Sequence, residues 1–159
     1  MEQKPKNVSQ FSNESRNTYV VEHLTSAMLT LLRRKSIDEI SISELCSMAG
    51  VGRTSFYRNY EKKEDIIKAY IAYLFQDWIY KCENAADLPI KELIRMVFSH
   101  FAANQDFYGL LNQRGLIYLL KDIILDLCNF NPNQEIPDAY SYAYAAFFLY
   151  GWIEVWFRR

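Results

Sequence analysis

Cysteine, glycine, proline and histidine are all scarce in this chain of 159 residues, which has three, five, four and two of them respectively. The cysteines Cys46, Cys82 and Cys128 are odd in number and widely spaced, which argues against both a disulfide framework and a zinc site. Cys46 lies four residues before Gly50, where two closely packed short helices require a small side chain. We therefore interpret Cys46 as a core residue rather than a redox sensor.

Long apolar runs are absent as well. No run approaches the roughly 20 residues that span a bilayer, and the opening MEQKPKNVSQ lacks the apolar stretch of a signal peptide. Signatures of catalysis are missing too: there is no Gly-rich phosphate loop, nucleophile elbow or His-Glu-x-x-His. His23 and His100 stand alone in predicted helices and are interpreted as packing or surface residues. We expect a cytoplasmic protein with no membrane association, enzyme activity, metal or cofactor.

Apolar and aromatic residues are plentiful. Half of the chain is hydrophobic and 16% is aromatic, which is enough for a core in one large domain or two small ones. Residues 1–63 carry ten Lys or Arg against seven Asp or Glu, whereas residues 64–159 carry eight against twelve. A mildly basic first part on an acidic body is typical of a DNA-binding protein, although solvated faces alone also produce such an imbalance.

Apolar residues recur at helical spacing and no segment has the pattern of a strand, so we predict an all-α fold. The predicted helices cover about 13–35, 41–48, a short helix opening at 52, then 63–84, 89–103, 106–112, 115–128 and 137–159.

The most informative segment is residues 41–65, SISELCSMAGVGRTSFYRNYEKKED. Ser41 and Glu44 fit a capping box, and Gly50 is suited to the positive φ of a helix C-cap. A second short helix opens at Gly52, and its outward positions all donate hydrogen bonds. Two crossed helices joined by a Gly-containing turn, the second basic and polar, are typical of proteins that place side chains in a DNA major groove.

This segment resembles the DNA-binding domain of TetR/AcrR-family transcriptional regulators. The resemblance is carried by Ser41, Ala49, Gly50, Val51, Phe56, Tyr57, Tyr60 and Lys63. It implies a flexible arm at 1–12, a three-helix DNA-binding domain with a helix-turn-helix at 13–62, and a helical ligand-binding and dimerisation domain at 63–159. The alternative is an unrelated all-helical protein with an αα-hairpin here.

Three positions depart from the family pattern. Gly52 stands where a Ser or Thr is usual, Asn59 where a His is common, and Lys62 where a capping Ser, Asp or Asn is usual. Glycine at an N-cap costs only on the order of tenths of a kcal/mol. The fold is therefore retained, but residue 52 has no hydroxyl to contact a phosphate.

The resemblance implies a double-stranded DNA operator as partner. The predicted DNA-binding residues are Ser41, Arg53, Thr54, Ser55, Tyr57, Arg58, Asn59 and Lys63. Arg53 is the best candidate to pair with guanine O6 and N7, whereas Tyr57 and Lys63 are expected to hold phosphates. Tyr60 is interpreted as a core residue.

The sequence of the second half of the chain is less specific as to function. The family implies a pocket for a small effector there, and the few charges among the candidate residues indicate an apolar or aromatic ligand. The candidate pocket residues, each of which is also interpretable as plain core, are Phe75, Trp78, Phe98, Phe101, Phe107, Tyr108, Leu111, Tyr118 and Tyr144.

The last predicted helix is apolar on all its faces and must therefore be buried on all of them. One small domain rarely offers that, so we expect part of the helix to contact a second copy of the chain, as the resemblance also implies. The candidate interface residues are Phe148, Gly151, Trp152, Val155 and Trp156. The family normally continues into one further helix, so we expect the chain to lack its last helix. A purely internal core helix is the alternative.

These features predict a homodimeric transcriptional repressor that a small molecule releases from DNA. The alternative is a co-activator of the same fold that acts through a protein partner. It arises because the segment from Asn104 onward, NQDFY, resembles a branch that includes the activator of a dihydroxyacetone kinase operon. The joint presence of Arg53, Ser55, Tyr57 and Lys63 favours DNA binding.

Overall fold

The computed structural model describes residues 13–83, 89–127, 131, 133 and 135–158, and these form eight α-helices and no strand. The helices are α1 (Asn13–Leu32), α2 (Ile42–Ala49), α3 (Arg53–Asn59), α4 (Glu64–Glu83), α5 (Ile90–Ala103), α6 (Gln105–Gln113), α7 (Leu119–Leu127) and α8 (Ile136–Arg158). The all-α fold is confirmed for this part of the chain, whereas the predicted arm at 1–12 lies outside it. None of the described helices is both long and apolar enough to cross a membrane.

The first helix is shorter than predicted. α1 ends at Leu32 rather than Lys35, because the backbone tightens where Arg34 N donates to the Leu31 carbonyl at 2.9 Å. Such an i to i+3 bond is typical of a helix end. The residues that follow, 33–41, form an irregular connection between α1 and α2.

The start of α7 also differs from the prediction, at Leu119 rather than Gly115. Gly115 adopts a φ of 68°, in the left-handed region, and Leu116 N donates to the Leu111 carbonyl at 2.8 Å. This pattern closes α6 and turns the chain. The apolar residues just after Gly115 therefore belong to a turn, although their spacing resembles that of a helix.

One continuous cluster of buried apolar side chains holds the helices together, from Leu24 on α1 to Ile153 on α8. Burial of each large side chain contributes roughly 1.5–3 kcal/mol. α1 packs on α2, α3 and α4, and α4 and α8 both pack on α7. Because the cluster is continuous across residue 62, the predicted domain boundary there stays a prediction.

Candidate functional site

Local contacts fix α2 at both ends. At its start the backbone N–H of Glu44 donates to the Ser41 hydroxyl at 3.1 Å, as the sequence predicts. At its end Gly50 has a φ of 66°, and its N–H donates to the carbonyls of Cys46 and Ser47. A side chain would be strained in this conformation, so the turn before α3 requires a glycine.

The predicted capping box is only half formed. Its second half, in which the Ser41 backbone N–H would donate to the Glu44 carboxylate, is replaced by an ion pair between that carboxylate and Lys35. Lys35 Nζ donates to the two carboxylate oxygens of Glu44 at 2.8 and 2.6 Å. Charge-assisted bonds are stronger than neutral ones, so the carboxylate bonds the ammonium. This pair ties α2 to the connection that precedes it.

An aromatic anchor holds α3 against the rest of the protein. Phe56 is completely buried and Tyr60, which follows the helix, is 8% exposed, with ring centroids 6.0 Å apart. Burial raises the pKa of the Tyr60 phenol, as expected of a core residue. The helix begins after Gly52, which supplies no side-chain cap. Packing rather than capping therefore stabilises α3, which at seven residues is too short to persist alone.

The outer face of α3 is polar. Arg53, Thr54, Tyr57 and Arg58 are all exposed. Spacings of three and four residues make such side chains neighbours on a helix surface. α3 contains no acidic residue, so its two guanidinium groups give the face a positive charge. Arginine forks and hydroxyl donors on one anchored helix are suited to a ligand with anionic and hydrogen-bond-accepting groups.

Three other predicted DNA-binding residues, Ser41, Ser55 and Asn59, differ in their exposure and in their hydrogen bonds. Asn59 is half-buried, and its Nδ2 donates to the Ser55 carbonyl at 2.8 Å, so its amide is used within α3. Ser55 is also half-buried. Ser41 is exposed, and its hydroxyl accepts a bond from α2 while retaining a proton to donate.

Lys63 lies just before α4, and its ammonium contacts backbone carbonyls. Its Nζ atom donates to the carbonyls of Ile37, Asp38 and Ile40 at 2.5, 3.4 and 3.1 Å respectively. An ammonium has three donors, and these three carbonyls accept them. The sequence predicts a phosphate contact for Lys63, and the structure gives this side chain a different set of partners.

Cys46 is buried, in agreement with its interpretation as a core residue. Burial raises the pKa of its thiol, while the charge of Arg53 opposes the shift. A buried thiol with a raised pKa is a poor nucleophile, because the thiolate is the reactive form.

Five of the nine candidate pocket residues pack in the core of the body, by which we mean α4 to α8, and each is at most 9% exposed: Phe75, Phe101, Phe107, Tyr108 and Leu111. The Tyr108 hydroxyl lies 2.8 Å from His100 Nε2, and His100 stacks on Phe75. Phe98 is half-buried and stacks on Trp152. Tyr118 and Tyr144, by contrast, are 54% and 72% exposed respectively. The Trp78 side chain lies outside the described part of the chain.

α8 packs on α7 with one face and leaves another exposed. Ala146 and Ile153 are buried, whereas Phe148 and Val155 are about half exposed. The rings of Tyr144, Phe148 and Trp152 follow one another along the helix, with centroids 6.0 and 4.5 Å apart. Gly151 has open space at the position of a Cβ, and Trp156 is half-buried against Phe101. An exposed aromatic face of this kind is typical of an interaction surface.

Two polar contacts between distant parts of the chain are not evident from the sequence. Arg114 Nε donates to the Leu32 carbonyl at 2.5 Å, and Lys68 pairs with Asp122 at 2.7 Å. The partners are 82 and 54 residues apart, so no local pattern marks them.

No family model, no curated protein and no solved structure matches this chain. Among the residues that the structure describes, no group of three or more His, Cys, Asp or Glu is placed to hold a metal ion.

Proposed function

We propose that the chain is a DNA-binding transcriptional regulator that inserts α3 into the major groove of an operator. The observation that carries the proposal is the contrast between the two faces of α3, with Phe56 buried and Arg53, Thr54, Tyr57 and Arg58 exposed. A major groove about 12 Å wide admits one helix. A helix that is already held in place keeps its side chains aligned with the bases. A mobile helix would have to lose conformational entropy on binding, which would weaken the complex.

Each exposed side chain has a role that its chemistry supports. Arg53, in the first turn of α3, pairs with the O6 and N7 atoms of guanine. Tyr57 and Arg58 contact phosphates, because a phenol and a guanidinium both donate to phosphate oxygens. Ser41, at the start of α2, adds a further donor to the backbone.

The regulator acts as a homodimer in this proposal, and the exposed aromatic face of α8 supports it. Two α3 helices about 34–36 Å apart, or a multiple of that distance, would enter successive grooves on one side of the duplex. The operator is then palindromic or nearly so, because a two-fold protein binds two related half-sites.

Repression is relieved by a small apolar or aromatic effector that binds the body. Such a ligand acts only through its differential affinity for two states of the dimer, one with the correct α3 spacing and one without. A compound that weakens operator binding tenfold must itself bind tenfold more weakly to the operator complex. Calorimetric titration of the free and DNA-bound protein would measure both factors.

Selection of bound duplexes from a randomised pool, with the full chain, tests DNA recognition directly. We expect a palindromic motif that Arg53→Ala relaxes at one position in each half-site. Lys121→Ala is the matched control, because it also removes one exposed positive charge but lies on α7. Enrichment of no motif by the wild-type chain would contradict the proposal and favour a co-activator that acts through a protein partner.

A further inference from the structure

The connection between α1 and α2, residues 33–41, is held by two cations that come from distant parts of the chain. One is Arg114, at the end of α6, and the other is Lys63, at the start of α4. Both donate to backbone carbonyls at or just before the connection. The connection leads directly into Ser41, the N-cap of α2, and α2 leads through Gly50 into α3.

Arg114 contacts the carbonyl of Leu32, the last residue of α1. The last carbonyls of a helix have no partner within it and carry the negative end of the helix dipole. The last turn of α1 contains no basic residue of its own. The half-buried Arg114 supplies a donor for the Leu32 carbonyl, from 82 residues further along the chain.

Lys63 gathers the carbonyls of Ile37, Asp38 and Ile40 around one ammonium, although these residues do not belong to a helix. If Lys63 moved to a phosphate, all three carbonyls would lose a charge-assisted bond. The Ile37 and Ile40 bonds are part-buried, which makes such a loss more costly than at an exposed site.

We propose that Lys63 and Arg114 are positioning residues that fix α2 and α3 relative to the body, and that Lys63 does not contact phosphate. The DNA-binding part of this inference rests on the proposed function. Arg114 links the second half of the chain to the end of α1, and Lys63 links the start of α4 to the connection that leads into α2. A change at either cation therefore alters the orientation of the exposed face of α3 without touching its residues.

Hydrogen exchange of the free protein, followed by mass spectrometry, tests the positioning role without DNA. We expect amides of residues 33–41 to exchange about tenfold faster in Lys63→Met and in Arg114→Met, because each loses bonds to a charged donor. Lys62→Met and Lys121→Met remove the same charge from exposed side chains and should match the wild type. Arg114→Lys keeps a cation and a donor and should restore most of the protection. Unchanged exchange in Arg114→Met or Lys63→Met would overturn the proposal.

DNA binding at several salt concentrations separates positioning from phosphate contact. Lys63→Met and Arg114→Met should each weaken binding to the selected duplex at every salt concentration, while the slope of log K against log salt keeps its wild-type value. Loss of a phosphate contact would make this negative slope shallower by about one, and that outcome for Lys63→Met would overturn its assignment. If selection enriches no duplex, the proposed function fails, whereas the exchange experiment still decides whether the two cations hold the connection.

Should Lys63→Met fail to fold, Lys63→Arg is the second variant. A planar guanidinium cannot converge on three carbonyls as an ammonium does. We expect faster exchange confined to residues 33–41 in this variant, with α5 to α8 protected as in the wild type. Wild-type protection throughout the connection in Lys63→Arg would count against the proposal.

Discussion

Phe56 and Tyr57 are adjacent in sequence and meet edge to face, with ring centroids 5.2 Å apart, yet Phe56 is fully buried and Tyr57 is 53% exposed. This pair divides α3 into the face that anchors it and the face that is free to bind. Binding and stability are therefore expected to separate when residues of the two faces are changed.

Replacing Phe56 by Ala should destabilise the fold by about 3–5 kcal/mol, because a fully buried aromatic side chain leaves a cavity. Tyr57→Phe, the matched control, should unfold at nearly the wild-type urea concentration, since it removes only an exposed hydroxyl. Urea denaturation followed by circular dichroism would measure both variants. Equal stability of Phe56→Ala and the wild type would contradict the packing of α3.

Replacing Arg53 by Ala should weaken operator binding by about 1–3 kcal/mol through loss of a bidentate guanine contact. Stability should stay within about 0.5 kcal/mol, because Arg53 is exposed. Fluorescence anisotropy with the selected duplex and with single-base variants of it would measure the affinity. A uniform loss on all duplexes would show that Arg53 contacts the phosphate backbone and not a base.

Replacing Phe148 by Asp should convert the proposed dimer to monomers while leaving the fold intact, because this ring is 47% exposed on α8. A charge buried in an interface without a partner is strongly unfavourable. Sedimentation velocity would measure the mass. Tyr73→Asp is the control, since Tyr73 is a 66% exposed aromatic residue on α4. Trp156 is less suitable for this test, because its ring also contacts Phe101 in the body.

An unchanged mass for Phe148→Asp would show that α8 is not the dimer surface. A monomeric wild-type chain would contradict the dimer proposal itself, whatever the behaviour of the variant.

Tyr108 should stay protonated while the protein is folded, because burial raises the pKa of its phenol far above the usual value of 10. Its contribution to stability is present below that value and is lost as the pH rises above it, since only the unfolded state then ionises. The free energy of unfolding should therefore decline less steeply from pH 9 to 11 in Tyr108→Phe than in the wild type. Urea denaturation across this range would measure it.

A spectroscopic experiment gives an independent check. In an alkaline titration of the folded protein, Tyr108→Phe should give the same phenolate absorbance as the wild type. After alkaline unfolding, its absorbance should be lower by the contribution of one of the twelve tyrosines. A lower phenolate absorbance of Tyr108→Phe than of the wild type before unfolding would show that the Tyr108 phenol is accessible to hydroxide in the folded protein.

Some features were predictable because they follow from short-range rules. The cap at Ser41, the left-handed Gly50 and the burial of Phe56 each depend on a few neighbouring residues and on the helical period. The exposure of Arg53 follows from the same period. Within about three residues, the predicted ends of most helices agree with the observed ones, because hydrophobic spacing marks the buried face.

Other features depend on how the helices pack. Glu44 fits a capping box by sequence, but Lys35 lies close enough in the fold to bond its carboxylate. Tyr118 and Tyr144 have the character of pocket residues, but the packing leaves both exposed. Local pattern assigns a residue to a type of environment and does not say which of several competing partners is nearest.

The sequence by itself therefore determined the all-α fold of the described residues and the division of α3 into a buried and a polar face, because both follow from the helical spacing of apolar and polar residues along the chain. Only the tertiary structure decided that Lys63 bonds the carbonyls of Ile37 and Ile40 and that Arg114 reaches Leu32. These partners are 23 to 82 residues apart. Backbone carbonyls accept bonds whatever side chain they belong to, so no residue type in the connection identifies the cation that will hold it.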